Sequence, residues 1–350
     1  MQVPNRIGSL RILPSNESFS LSMAAKPNIL IVAQQGRLSY EAILFVLSLN
    51  VSAPDFAKRL YIAEPRKGPL WSGDPRVKDR DIRALLAATG AKMVTFESLH
   101  FGEAYPNGNK IEALRTLPPG EPFIFFDTDT LIMGDLSEVP IDFSKPSASL
   151  RREGTWPKLE LYGPGYHEIW ASLYAKFGMD VDTALDPTQP LEYWMRYPYY
   201  NAGWFYYSCP EKFGTLYEKY AVAIRNDPPK EIVCQSLDPW LDQVALPLVI
   251  HKLGGGPGAM QQGYFDGKTS LHYRYLSLLY AKEPDTTIAF LEALAAPNPV
   301  KKILKQYEPF KWFIYQNKGK KARELFDRND LPRAELAMRK KLKNRNLWVR

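Results

Sequence analysis

Apolar and polar positions alternate between two periods along most of the chain, and the alternation starts at Pro27. The run Asn28-Ile-Leu-Ile-Val-Ala33 is short, apolar and β-branched, which predicts a buried strand. Gly36 ends it, and Tyr40 to Leu49 then follows a helical period. Leu60 to Ala63 predicts the next strand, Asp79 to Gly90 a helix closed by glycine, and Lys92 to Phe96 a third strand. A further helix is expected over Asn109 to Leu117, followed by Glu121-Pro-Phe-Ile-Phe-Phe126, the strand with the most buried character in the chain. Strands that alternate with helices in this way imply an α/β fold, with a mainly parallel sheet and helices on both faces.

Beyond Ser149 the pattern loosens into an aromatic, proline-rich stretch. Tyr199 to Tyr207 resumes a strand-like run, and Pro239 to Leu253 reads as a helix. From Glu283 onward, short helical periods are separated by Asn-Pro, Glu-Pro and Leu-Pro breakers. Three regions are therefore expected: a loose N-terminal tail over 1–26, one α/β catalytic domain over 27–282, and a basic helical C-terminal appendage over 283–350. The chain contains no internal repeat and no low-complexity tract.

Charge sharpens this division. Residues 301–350 hold 16 Lys and Arg against 5 Asp and Glu, a net of +11, while the rest of the chain holds 29 against 33, a net of −4. An acidic body argues against nucleic-acid recognition, whereas the basic tail, with Phe310, Trp312, Phe313, Tyr315 and Trp348, suits contact with an anionic membrane surface or a charged helical face packed on the body. The two cysteines, Cys209 and Cys234, have no metal-binding or redox spacing. With no apolar run of signal-peptide or membrane-spanning length, the expectation is a cytoplasmic protein, at most peripheral to the inner face of the membrane.

The strongest chemical signal is FIFFDTDTLIMGDL, where an apolar strand runs straight into Asp127-Thr-Asp129. Two carboxylates at the end of a buried strand repel one another and lose hydration, and a divalent cation relieves both costs. Oxygen ligands favour Mg²⁺ or Mn²⁺, either of which can neutralise a diphosphate leaving group. In an open α/β sheet this is also where ligands collect, at the carboxyl ends of strands. The same letters fit the D-x-D-x-T string of haloacid dehalogenase-like phosphatases, with Asp127 as nucleophile. That motif normally opens its domain, however, and about three β/α units precede it here. A catalytically silent protein that binds sugar nucleotides is the third reading.

Taken together, four segments resemble GT-A fold glycosyltransferases, especially the glycogenin and lipopolysaccharide galactosyltransferase group of glycosyltransferase family 8. They are Asn109-Lys110-Ile-Glu-Ala-Leu114, the FFDTDTLIMGDL segment, Tyr200-Asn-Ala-Gly203 and Leu241-Asp-Gln-Val244, in that order. The resemblance covers residues 28 to about 275. It implies a Rossmann-like nucleotide-diphospho-sugar transferase fold, and transfer of a hexose from a UDP-sugar to a hydroxyl of a glycan, glycolipid or small acceptor.

It also implies roles for individual residues. Asp127 would contact the metal and the ribose, Asp129 would ligate the metal, and Lys110 would meet donor hydroxyls or phosphate. Asn201, with the small Ala202-Gly203 pair, would let the sugar approach the backbone closely. Asp242 and Gln243 would lie beside the reacting sugar, and His272 would be the third metal ligand. Where relatives carry a glycine and then Lys-Pro-Trp after that histidine, this chain has Tyr273-Arg274, so Arg274 is expected to stand in for the phosphate lysine. In this fold Ala33-Gln-Gln-Gly36 holds the base and ribose, which gives Gln34 a uracil edge to bond. Trp71, Asp74, Trp156 and Tyr166 are candidates for acceptor contacts, and the glycine run 254–258 for a flexible loop near the site.

Overall fold

The computed structural model describes residues 26–152 and 154–349. The tail expected over 1–26 thus lies, apart from Lys26, outside the described residues. Chain order runs β1 (Asn28–Val32), α1 (Arg37–Ser52), β2 (Leu60–Pro65), α2 (Arg80–Ala88), β3 (Lys92–Phe96), α3 (Asn109–Glu112), β4 (Phe123–Phe126), β5 (Thr130–Ile132) and β6 (Ser147–Ser149). It continues with α4 (Tyr166–Lys176), β7 (Asn201–Tyr207), α5 (Pro210–Asn226), α6 (Leu241–Lys252), β8 (Ser270–His272), α7 (Leu276–Lys282), α8 (Asp285–Ala295), α9 (Asn298–Leu304), α10 (Glu308–Phe310), α11 (Lys318–Glu324) and α12 (Glu335–Asn344).

Six strands form the central sheet in the order β3-β2-β1-β4-β7-β6. The first four are mutually parallel, and β7 runs antiparallel to both β4 and β6. Parallel strands buried on both faces need apolar side chains at every position, and β1, β2 and β4 are buried throughout. Alternation along each strand divides the core in two. Ile29, Ile31, Ile124, Phe126, Trp204 and Tyr206 point to the side covered by α1 and α8. Leu30, Phe123, Phe125, Phe205 and Tyr207 point to the side covered by α4, α5 and α6.

The helices expected past residue 282 form, and their apolar faces join the same cluster as α1 and β5. Phe310 and Phe313 are buried there, while Trp312, Tyr315 and Trp348 are partly buried against it. Burying a phenylalanine is worth roughly 1.5–3 kcal/mol, a gain these two rings have already made in the core. The aromatic half of the membrane-docking argument therefore loses Phe310 and Phe313. No helix among the described residues is long and apolar enough to cross a membrane.

A second, two-stranded ribbon joins β5 to β8 in antiparallel register, with Thr130 opposite His272. It ties the segment just after Asp129 to one more than a hundred residues later.

Candidate active site

The site gathers where β4 ends. The β4–β7 ladder pairs Phe126 with Trp204, and one step further the Asp127 amide donates to the Gly203 carbonyl at 2.8 Å. That bond fixes the carboxylate segment to the sheet. From the ribbon, Tyr273 donates its amide to the Asp129 carbonyl at 3.0 Å, so His272 swings in beside both acids. Its Nε2 lies 3.1 Å from Asp129 Oδ1 and 3.8 Å from Asp127 Oδ2.

One ligand atom from each of Asp127, Asp129 and His272 falls within 4.8 Å of the others. Around an octahedral cation with ligands about 2.1 Å away, neighbouring ligand atoms stand about 3 Å apart and opposite ones about 4.2 Å apart. The separations here therefore fit a divalent cation with two oxygen ligands and one imidazole.

Electrostatics support the same reading. Burial acts to raise the Asp129 carboxyl, but the His272 ring and the Arg37 guanidinium, 3.8 Å away, outweigh it and hold the group well below the usual carboxylate range. Arg37 also donates to Glu41 at 2.8 Å one turn along α1, and Thr128 Oγ1 donates to the same carboxylate at 3.1 Å. Burial and the Asp129 charge push Glu41 above the carboxylate range.

Lys110 projects from the single-turn α3. That turn is rooted by Glu112, whose Oε1 accepts from the amides of Leu99 and His100. The Lys110 ammonium reaches Asp127 Oδ1 at 2.9 Å, Asp242 Oδ2 at 3.3 Å and the Ala202 carbonyl at 3.2 Å. Burial alone would lower its pKa, but the two acids outweigh burial and hold it above the ordinary lysine value.

Asp242 lies in the first turn of α6 and is buried. Its Oδ1 accepts from the Tyr105 hydroxyl at 2.8 Å, and its amide donates to the same hydroxyl at 2.9 Å. Burial raises this carboxyl despite Lys110 and Tyr105. Both oxygens are thus engaged by protein groups, Oδ1 by Tyr105 and Oδ2 by Lys110. Its neighbour Gln243 does face open space, and its Oε1 accepts from the Tyr199 hydroxyl at 2.9 Å.

Two cavities take in the remaining candidate residues, and the first of them contains the acids. The first, about 290 Å³, is lined by Gln34, Arg37, Lys110, Asp127 and Asp129, so Gln34 shares a cavity with the carboxylates. The second, about 320 Å³, is lined by Tyr199, Asn201, Trp240, Gln243 and Arg274. Asn201 turns its Oδ1 to accept from the Gly203 amide at 2.8 Å.

Several expectations change in detail. The space that a Cβ would take at Gly203 is filled by the His272 ring, so the small residue seats the histidine. Trp156 is buried and donates its Nε1 to the Ser236 carbonyl at 3.0 Å, which makes it a core anchor and no acceptor contact. Trp71 donates to Ser98, Asp74 pairs with Arg76 and Tyr166 stacks on Tyr197. The glycine run packs through Gly255 against the Pro146 carbonyl and borders a further cavity that reaches Arg152 and Tyr199. Arg274 bonds Glu335 of α12 at the wall of the second cavity.

A mainly parallel sheet with a carboxylate pair at the end of β4 and a histidine beside it agrees with the fold that the resemblance implies. The profile of the Rhodobacterales glycosyltransferase domain matches residues 29–254, and the chain belongs to that family. The family sets aside the phosphatase reading of Asp127. No curated protein sequence matches the chain. Among solved structures it resembles the apo form of WbbM, a bifunctional glycosyltransferase, with 14% identity and a TM-score of 0.43 over 81% of this chain and 52% of that one. It also resembles the galactosyltransferase LgtC in complex with donor and acceptor sugar analogs, with 13% identity and a TM-score of 0.37 over 63% of this chain and 70% of that one. GlyE of Streptococcus pneumoniae is similar at 11% identity and a TM-score of 0.42, over 80% of this chain and 63% of that one. The chain spans about half the length of WbbM.

Proposed function

We propose that the protein transfers a hexose from a nucleotide diphosphate sugar, with a UDP-sugar as donor, to a hydroxyl of a glycan, glycolipid or small acceptor. The observation that carries this reading is the Asp127, Asp129 and His272 cluster, its ligand atoms within 4.8 Å of one another, with both acids lining the first cavity. A Mn²⁺ or Mg²⁺ ion held by these three residues would act as a Lewis acid for the departing diphosphate.

The protein's own groups divide the remaining work. Gln34 meets the uracil edge in the first cavity. Lys110, held charged by Asp127 and Asp242, neutralises donor oxygens and orders Asp127. Asp242 acts through Lys110 as a positioning residue. Asn201 and Gln243 hold the hexose at the rim of the second cavity, and Arg274 adds positive charge towards the diphosphate. Ala202 contributes its carbonyl to Lys110, and Gly203 seats His272. Contact with an anionic membrane rests mainly on the charge of the C-terminal segment, because Phe310 and Phe313 are buried.

Release of the nucleoside diphosphate from a panel of UDP- and GDP-sugars, with and without Mn²⁺, tests the reading. Metal-dependent hydrolysis of a UDP-sugar is the expected result. Absence of turnover with every donor, despite folded protein and added metal, would overturn it and leave a silent binding protein.

A further inference from the structure

The described lining of the second cavity includes the cations of Arg152, Lys158, Arg274 and Arg339 and the carboxylate of Glu335. That carboxylate is shared, since Arg274 and Arg339 both bond it and Lys282 reaches it at 3.0 Å. Arg152 has no carboxylate partner among the described residues. Its guanidinium donates to the carbonyls of Tyr199 at 3.2 Å and Met195 at 3.2 Å, and lies 4.8 Å from the centre of the Trp194 ring. Carbonyl dipoles and a ring face orient a cation without cancelling its charge, so a half-buried guanidinium held this way keeps a field directed into the cavity.

This concentration of cations occurs beside a body whose first 300 residues carry a net charge of −4, so it is local. The rings of Trp240 and Tyr199 share the same wall, and flat rings beside polar groups suit the faces of a pyranose. Asn201 and Gln243 border the same space. The cations of Arg152 and Lys158 come from the loop after β6, and that of Arg339 from α12, all outside the β4 carboxylate cluster.

We propose that this cavity is the acceptor subsite and that the acceptor is an anionic sugar, bearing a carboxylate or a phosphate that meets Arg152, Lys158 and Arg339 while its ring lies against Trp240 and Tyr199. The assignment rests on the reading of Asn201 and Gln243 as the sugar-transfer centre. It narrows the acceptor class from any hydroxyl compound to one carrying an oxyanion. Charge-assisted bonds from guanidinium groups to an oxyanion are the strong members of their class, so the charge should decide which sugars bind.

The test is a binding titration that needs no turnover. Glucuronic acid, glucose 6-phosphate, neutral glucose and inorganic phosphate are titrated into the full chain by ligand-observed NMR in the absence of donor, and UDP is titrated separately. At least one of the two anionic sugars should bind about tenfold or more tightly than glucose, and more tightly than inorganic phosphate; which of them leads identifies carboxylate or phosphate as the group recognised. Arg152→Gln and Lys158→Gln should each weaken that binding several-fold and leave UDP affinity less affected. The surface variant Lys158→Gln keeps the test open should loss of the Arg152 bonds unfold the loop.

Equal binding of glucose and both anionic sugars, or binding of none, overturns the proposal. So does inorganic phosphate binding as tightly as the sugars, which would make the cavity a bare oxyanion site. An equal loss of UDP affinity in the variants would assign the cations to the donor diphosphate and also overturn it. Failure here, with metal-dependent donor hydrolysis intact, removes only the acceptor class. Charge-selective sugar binding without hydrolysis removes the transferase reading of the centre and leaves the anion subsite standing.

Discussion

Replacing Gly203 with alanine tests the centre at its narrowest point. A Cβ built there lies 2.1 Å from His272 Nδ1, 2.5 Å from Cε1 and 2.8 Å from Cγ. Ordinary contact distance is about 3.5 Å, so one of the two residues must retreat by more than 1 Å, roughly. Gly203 cannot easily do so, because its neighbour Trp204 is paired with Phe126 of β4 and the Gly203 carbonyl holds the Asp127 amide. The imidazole must therefore swing away. Metal sites tolerate ligand displacements of only about 0.2 Å, so the cation would lose its nitrogen ligand. Even changes behind a ligand cost about 10–100-fold in metal affinity, and Gly203→Ala should weaken Mn²⁺ binding by at least that factor. Overpacking should add about 1–3 kcal/mol of destabilisation, or roughly 1–4 °C in Tm for a chain of this length.

Calorimetric titration of Mn²⁺ and thermal unfolding of the single and double variants separate the two effects. His272→Ala alone should match the loss of metal affinity without the clash, and excess Mn²⁺ should partly restore its turnover. The double variant Gly203→Ala with His272→Ala should then recover most of the stability lost by Gly203→Ala, a non-additivity expected only of residues in contact. Wild-type Mn²⁺ affinity in Gly203→Ala, or strictly additive stabilities, would refute the argument.

Asp129→Asn should abolish metal-dependent donor hydrolysis while circular dichroism and Tm stay close to wild type; near wild-type hydrolysis in Mn²⁺ would remove Asp129 from the metal site. Tyr105→Phe deprives the buried Asp242 of a donor 2.8 Å away, and a carboxylate stripped of one buried bond costs about 1–3 kcal/mol; kcat should fall through the misplaced Lys110, and an unchanged kcat would show that Asp242 does not set the lysine. Glu335 gives a pH prediction. Burial raises its carboxyl, but Arg274 and Lys282 outweigh burial and bring it down to about 2. Because its folded value lies below the unfolded one near 4.5, its contribution is fully present above pH 4.5 and is lost as pH falls towards 2. Hydrogen exchange over α12 should therefore rise as pH is lowered through that window, after correction for intrinsic rates, and Glu335→Gln should flatten the dependence.

Most of the parallel half of the sheet was legible because β1, β2 and β4 had to be apolar on both faces, while the edge strand β3 showed through its β-branched and aromatic residues. β1, β2, β3 and β4 fall where the runs predict them, and the Arg37–Ser52 helix differs from its expected span only at the ends. The three-residue strands β5, β6 and β8 left no such trace, since a period of two cannot be recognised over three residues. Asp127 and Asp129 stood out for the same reason as β4, as polar residues at the end of an apolar run. Arg37 and Glu41, four apart on α1, carry a charge-pair signal that could have been read. Nothing local marks Tyr105 or the Glu335 hub, whose partners Asp242 and Arg274 are remote in sequence. The burial of Phe310 and Phe313 likewise depends on where α10 meets α1, which composition does not record.

The β5–β8 ribbon acts as a clasp, and its register carries one consequence for assembly and one for evolution. A slip of one residue would turn His272 to the opposite face of the ribbon, so the clasp either closes with all three ligands in place or supplies only two. The triad therefore cannot assemble until the chain between β5 and β8 has folded back and the ribbon has paired. Once closed, the clasp secures the ligands independently of the loops strung between its strands. Those loops, including the segment after β6 that supplies Arg152 and Lys158, can drift in length and composition between lineages. New acceptors can then be recruited onto an unchanged cation seat.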